Sequence, residues 1–354
     1  MFGKKRIFWF FSFHLSFLTC FLLIAMILTL NEISTIPKNH RIGNGTSNVH
    51  LLKEKGLPFS FLVIGDTQGS KRGERLIRQG LREGQHSFMI HLGDFVKKPD
   101  QWDHLLFLAE MTGEIKPPFP VFLVPGNHDI DYASAKIKDE GRRVTREVFD
   151  SIYGARRLHF VFHQSLFVLT EIDPQNPDDF LHYLREVLGR QGQGMKHIFV
   201  FVHYPPRLFD YIHDFFPKED QFYSLLETYK VTACFFGHYH GYWRGQRNGV
   251  NYLIVGGGGR LKETQSEWGK FNHIMKVTVD EKGFTEEIIA LPKSHRIRDD
   301  LKEWAFGKVL PLFYHQAWML YLITVLVFVW GMVSLFFFLK LFRGRHADKV
   351  NMER

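Results

Sequence analysis

A chain of 354 residues, 45% of them hydrophobic, can bury a sizeable core and holds one large domain or two small ones. Its formal net charge of +8 invites a nucleic-acid partner, but much of the excess sits in two terminal tails and no basic strand with interleaved aromatics appears, so none is expected. The two cysteines, Cys20 and Cys234, lie in separate apolar runs, which excludes a disulfide framework.

The first predicted element is a membrane span over residues 7–30, where no Asp, Glu, Lys or Arg occurs. Lys4, Lys5 and Arg6 precede it as they would in a signal peptide. The run is too long for one, however, and no small-x-small cleavage site follows at 30–32, so an uncleaved anchor is expected. Residues 31–57, polar and containing Pro37, read as a stalk, in which Asn44-Gly45-Thr46 carries the glycosylation acceptor pattern.

From residue 59 short apolar runs recur as strand candidates: 59–64, 87–92, 120–124, 158–162, 166–170, 197–202, 231–236 and 250–255. Several are too continuously apolar for a sheet with one wet face. Helical segments lie between them. The clearest spans 177–188, with Asn176 as N-cap, Pro177 in the first position, and Phe180, Leu184, Val187 and Leu188 as an apolar stripe ending at Gly189. This alternation predicts α/β layers.

A second charge-free run at 318–339 predicts a span over 317–340. The aromatic stretch before it reads as an interfacial segment that holds the domain low on the membrane, the alternative being a linker helix packed on the domain. The predicted organisation is a tail (1–6), a span (7–30), a stalk (31–57), a domain (58–300), a juxtamembrane segment (301–316), a span (317–340) and a tail (341–354). The tails carry Lys4, Lys5, Arg6, Lys340, Arg343, Arg345, Lys349 and Arg354; the domain side has Lys38, Arg41, Arg298, Lys302 and Lys308 near the membrane. Eight against five puts both termini in the cytoplasm and the domain outside it.

The chemistry stands at the strand ends. Run 59–64 is followed by Gly65-Asp66-Thr67-Gln68, run 87–92 by Gly93-Asp94, and run 120–124 by Gly126-Asn127-His128-Asp129 one residue on; run 197–202 leads into His203 and run 231–236 into Gly237-His238-Tyr239-His240. A turn explains any one of these, but not all of them in one chain. Carboxylate, amide and imidazole together suit Mn, Fe or Zn, whereas Ca or Mg asks for oxygens almost throughout. Seven candidate ligands exceed what one ion accepts, so two metals fit the count.

In that order the motifs resemble the calcineurin-like metallophosphoesterases, over about residues 59–290. The resemblance implies two β-sheets flanked by helices, with a dinuclear site at the strand ends. It implies Asp66, Gln68 and His240 on one metal, Asn127, His203 and His238 on the other, and Asp94 bridging them. His128 would contact the substrate phosphate and stabilise or protonate the leaving oxygen, with Asp129 orienting its ring. Two departures stand out. Gln68 replaces the more usual His, and its carbonyl oxygen favours Mn or Fe over Zn there; Lys97 stands where a second acid often follows Asp94.

The expectation is therefore a membrane-anchored, metal-dependent phosphoric ester hydrolase, with Mn the favoured metal. Its substrate would be a phosphomonoester or phosphodiester, and tethering at both ends suggests one that is lipid-linked or close to the bilayer. The alternative is a membrane scaffold or receptor that keeps the fold without the reaction; among the relatives such proteins usually lose ligands, and this sequence has kept them.

Overall fold

The computed structural model describes residues 2–35, 41–52, 56–133, 136–208, 216–261, 269–292 and 296–352, with side chains between 4 and 341. Of the membrane-flanking charges, Lys38 and Arg354 lie outside the described residues, as do the side chains of Arg343, Arg345 and Lys349. The chain divides into two compact units, residues 36–300 and residues 1–35 with 301–354.

Among the described residues of the larger unit, eleven strands form two sheets. They are β1 (Phe59–Ile64), β2 (Met89–His91), β3 (Val121–Leu123), β4 (Leu158–Phe162), β5 (Ser165–Thr170), β6 (His197–Val202), β7 (Ala233–Phe236), β8 (Tyr242–Arg247), β9 (Val250–Val255), β10 (His273–Val279) and β11 (Phe284–Ala290). One sheet runs β11-β10-β1-β2-β3, the other β4-β5-β6-β7-β9-β8. β1, β2 and β3 are parallel, as are β5, β6, β7 and β9. Their C-terminal ends carry all the motifs identified from the sequence.

Strand periodicity explains how the two sheets stack. Alternate side chains point to opposite faces, so Phe59, Phe61 and Val63 of β1 join the core between the sheets, while Leu62 and Ile64 join the core under the helices. In β6, Phe199 and Phe201 face inward and Ile198, Val200 and Val202 face the helices Asp179–Gln191 and Glu219–Thr228. Both faces of these strands are covered, which is why the runs are continuously apolar. The inter-sheet core is largely phenylalanine: Phe61 stacks on Phe88 at 5.0 Å and Phe201 on Phe235 at 5.0 Å.

Three local readings need correction. The predicted helix at 177–188 runs Asp179–Gln191 with Asp178 at its cap; the amide of Asn176 turns instead to Asp173 Oδ2 at 3.4 Å. Gly189 lies inside this helix, under the Tyr229 hydroxyl, 3.2 Å from where a Cβ would stand. Residues 41–44 of the predicted stalk dock on the edge of β3, where Ile42 bridges Val121. Asn44, only 3% exposed, donates to the carbonyls of Leu123 (2.7 Å) and Ala155 (2.8 Å) and accepts from Leu123 N–H at 2.9 Å. An edge strand with unpaired groups needs such a cover, and an amide so engaged is no glycan acceptor.

In the smaller unit two helices, Phe2–Ser34 and Ala317–Met352, hold stretches long and apolar enough to cross a membrane. They run antiparallel: Trp9 stacks on Phe337 at 4.9 Å, Ser12 Oγ lies 2.9 Å from Ser334 Oγ, and Trp330 Nε1 donates to Ser12 at 3.0 Å. A Cβ on Gly331 would stand 3.2 Å from Ser16 Cβ. Small and hydroxylic residues at the contact are what close approach of apolar helices needs. The segment preceding the second helix is itself helical over Ile297–Trp304 and Leu310–Tyr314, with a π-helical turn at Ala305–Val309 between them.

Candidate metal centre

Two donor sets converge at the strand ends. Asp94, His203 and His238 offer ligand atoms within 4.8 Å of one another, as do Asp66, Asp94 and His240, so Asp94 belongs to both. Asp66 and His203 are fully buried, and Asp94 and His240 nearly so. Asn127 joins the first set, its Oδ1 lying 3.1 Å from both His203 Nε2 and His238 Nδ1. His203 Nε2 is also 3.4 Å from Asp94 Oδ1, and His240 Nε2 is 3.6 Å from Asp66 Oδ1.

The tautomers follow from second contacts. His203 Nδ1 faces the Leu92 carbonyl at 2.7 Å, and since a carbonyl can only accept, Nδ1 holds the proton. Burial brings the pKa of this ring down to about 4, against the pull of Asp94, so it is neutral and Nε2 bears a lone pair. His240 Nδ1 likewise bonds the Arg260 carbonyl and leaves Nε2 toward Asp66. Carbonyl-locked imidazoles presenting lone pairs to carboxylate and amide oxygens are the outer-shell arrangement of a metal site. A lone pair facing the Asn127 oxygen at 3.1 Å is repulsive unless a cation lies between; ligands about 2.1 Å from one ion at a right angle stand about 3 Å apart. The residues present therefore fit divalent metals.

Backbone geometry lets the ligands crowd together. Asp66, Gln68, Asp94 and His238 all adopt left-handed φ, at 58°, 47°, 52° and 67°, which costs each residue free energy and clusters at functional sites. Gly126 has no Cβ for a physical reason: one would lie 2.3 Å from Asp94 Oδ1 and 2.6 Å from its amide nitrogen.

His128 stands at the edge, with Nε2 3.9 Å from Asp94 Oδ2 and its backbone N–H donating to Asp94 Oδ1 at 2.8 Å. Its Nδ1 donates to the Lys97 carbonyl at 2.6 Å. This corrects the expected part of Asp129. That carboxylate is fully buried and accepts four backbone N–H groups: Asp94 and Gly126 on Oδ2, both at 2.7 Å, and Phe95 (3.0 Å) and Val96 (3.2 Å) on Oδ1. The ring of His128 is oriented by the Lys97 carbonyl, and Asp129 clasps two ligand loops together. Gln68 lies on the Asp66 loop, half-buried, its backbone N–H donating to the Asp94 carbonyl at 2.8 Å. Lys136, which sequence reasoning did not single out, brings its ammonium to the Asn127 carbonyl.

The family model described as calcineurin-like phosphoesterase matches residues 59–242. The chain belongs to this family. The matched stretch holds every candidate ligand, whereas β9, β10 and β11 lie beyond it. No curated protein matches the chain. Among solved structures, the phosphoesterase domain is similar to GAP50 of Plasmodium, described as the anchor in the inner membrane complex, at 14% identity and a TM-score of 0.50 over 68% of this chain and 87% of that one. It is also similar to the purple acid phosphatase PPD1 from yellow lupin, Lupinus luteus, at 17% identity and a TM-score of 0.51 over 70% of this chain and 55% of that one. At these identities the likenesses establish the fold.

Proposed function

We propose that this calcineurin-like protein is a membrane-anchored dinuclear phosphoesterase, acting on a phosphomonoester or phosphodiester. The observation that carries the reading is the pair of donor sets sharing Asp94. Asp66, Gln68 and His240 would hold one metal, Asn127, His203 and His238 the other, with Asp94 common to both; the carbonyl oxygen of Gln68 favours Mn at the first position. Divalent ions there supply positive charge to phosphate oxygens and lower the pKa of coordinated water.

The protein's own groups complete the reaction. With Nδ1–H held by the Lys97 carbonyl, His128 presents Nε2 on the Asp94 side of the site. There, when protonated, it donates Nε2–H to a phosphate oxygen and gives its proton to the leaving oxygen. The Lys136 ammonium beside the Asn127 carbonyl adds attraction for an anionic substrate.

The antiparallel contact of the two apolar helices supports a double span with both termini on one side, cytoplasmic by the Lys and Arg distribution. Ile297, Leu301 and Trp304, all more than half exposed and at i, i+4 and i+7 on one helix, support a face lying in the membrane interface. A site so restrained meets lipid-linked phosphoesters first. The second reading, a membrane scaffold on this fold, draws on the description of the Plasmodium neighbour as an anchor.

Metal content together with Mn-dependent hydrolysis of nitrophenyl phosphate and bis-nitrophenyl phosphate, in wild type and His128→Ala, separates the two. Two metals per chain with turnover abolished in the variant supports the enzyme, and the preferred ester gives its class. A metal-free chain, or equally negligible turnover in both proteins, favours the scaffold. Comparable rates on soluble esters and on lipid-linked esters in vesicles would remove the basis of the lipid preference.

A further inference from the structure

Behind the loop that carries Asn127 lies a buried histidine that touches none of the candidate ligands. His104, on the helix Gln101–Ala109, is 1% exposed and sits edge-on to Phe95 and Phe149, with ring centroids 5.6 and 6.4 Å away. Its Nε2 is 2.9 Å from the backbone carbonyl of Asp129, and its Nδ1 is 3.0 Å from the hydroxyl of Tyr153, the last residue of the helix Arg146–Tyr153. The carbonyl accepts only, so Nε2 carries the proton and Nδ1 accepts from the tyrosine. Helix, loop and helix are thus linked in series through one imidazole with both nitrogens committed.

The residue gripped in this way is the one whose carboxylate binds the N–H groups of Asp94, Phe95, Val96 and Gly126. We infer that His104 and Tyr153 are positioning residues for the metal centre. By fixing the Asp129 main chain they fix its carboxylate, and through it the spacing between Asp94 and Asn127. The inference rests on the dinuclear reading of the site. An apolar ring in place of His104 would fill the aromatic cage but leave the Asp129 carbonyl without this donor and the Tyr153 hydroxyl with only the long contact to the backbone carbonyl of residue 104, at 3.5 Å. A glutamine can restore both, since its amide donates and accepts.

The test is Mn binding to the full-length chain in detergent, by calorimetry and by metal content, under conditions where circular dichroism shows each variant folded. His104→Phe should weaken Mn binding by about 10- to 100-fold, the range for outer-shell residues, and His104→Gln should recover most of it. Tyr153→Phe, which deletes one oxygen, should weaken it by about threefold to tenfold, and it decides the matter if His104→Phe does not fold. Wild-type affinity in folded His104→Phe, or in Tyr153→Phe when the former cannot be made, overturns the inference. Failure of the wild type itself to bind two metals overturns the underlying reading of the site, so the two failures are distinguishable.

Discussion

Replacing Asp129 by asparagine separates two accounts of that carboxylate. If Asp129 oriented the His128 ring, an amide of the same shape would leave folding and metal binding untouched and lower kcat alone. The geometry says otherwise. Each carboxylate oxygen accepts two backbone N–H groups, Asp94 and Gly126 on one and Phe95 and Val96 on the other. In Asp129→Asn the amide oxygen can keep one pair, while the new NH2 group faces the other pair with donors against donors. Two charge-assisted bonds at about 1.5–3 kcal/mol each are lost, an upper figure near 6 kcal/mol. Relief of a buried negative charge close to Asp94 offsets part of it, leaving roughly 2–4 kcal/mol of destabilisation. Whichever pair loses its acceptor, Asp94 with Gly126 or Phe95 with Val96 directly after Asp94, the loop that carries Asp94 shifts, and Mn affinity should fall at least about tenfold. Equilibrium urea unfolding of the metal-free chain in detergent measures the first effect and calorimetry the second. A variant that unfolds within about 0.5 kcal/mol of wild type and binds two metals with unchanged affinity would refute the clasp.

Acid should destabilise the domain through its buried histidines. Burial drives the pKa of His91 and of His104 down to about 3. These folded-state values lie below the unfolded value near 6.5, so the stability they contribute is complete above about pH 6.5 and is lost as pH falls below it, by about 1.4 kcal/mol per pH unit for each ring. Urea unfolding of metal-free His104→Gln at pH 6.5, 6 and 5 should show a slope shallower than wild type by that amount, and parallel slopes would contradict it. Asn44→Ala, which removes two buried hydrogen bonds to Leu123 of β3 and a part-buried one to the Ala155 carbonyl, should cost about 2–4 kcal/mol in the same assay. Expression of the wild type in a glycosylating host should give no glycan at Asn44, and a folded chain glycosylated there would count against the docked edge. Oxidation of Ser12→Cys/Ser334→Cys should give an intrachain disulfide found by mass spectrometry of the digested protein, whereas links only between chains would argue against the antiparallel helix pair.

How much of this could be read in advance depended on which atoms do the binding. The candidate ligands are side chains, and side chains are letters: Asp66, Gln68, Asp94, Asn127, His203, His238 and His240 are all legible as residues following apolar runs. The strands before them were legible for a related reason, since burial on both faces leaves a continuous run. β8, β10 and β11 were not. Tyr242–Arg247 has no buried position and sets two aromatics against Arg, Gly, Gln and Arg, His273–Val279 is interrupted by Lys276 and Thr278, and Phe284–Ala290 has one buried position, all weaker signals than a continuous apolar run. The stalk misled because Asn44 is polar by letter yet buried by function: its amide takes the place of a missing strand neighbour.

What could not be read is what holds the ligands, and there the reason is deeper. The supports of the site are main-chain groups: the Leu92 carbonyl on His203, the Arg260 carbonyl on His240, the Lys97 carbonyl on His128, and four N–H groups on Asp129. Every residue owns a carbonyl, so no letter announces one. The same blindness explains the misassigned Asp129, whose carboxylate next to a histidine suggests a side-chain pair until the surrounding backbone is seen to compete for it. Competition of this kind has a physical preference. At the left-handed turn of Asp94 the successive amides of Asp94, Phe95 and Val96 reach one carboxylate, and clustered N–H groups bind an anion more fully than a single imidazole can. The carboxylate goes to the amides, and the histidine is left to a carbonyl that keeps its proton on Nδ1 and its other nitrogen for chemistry.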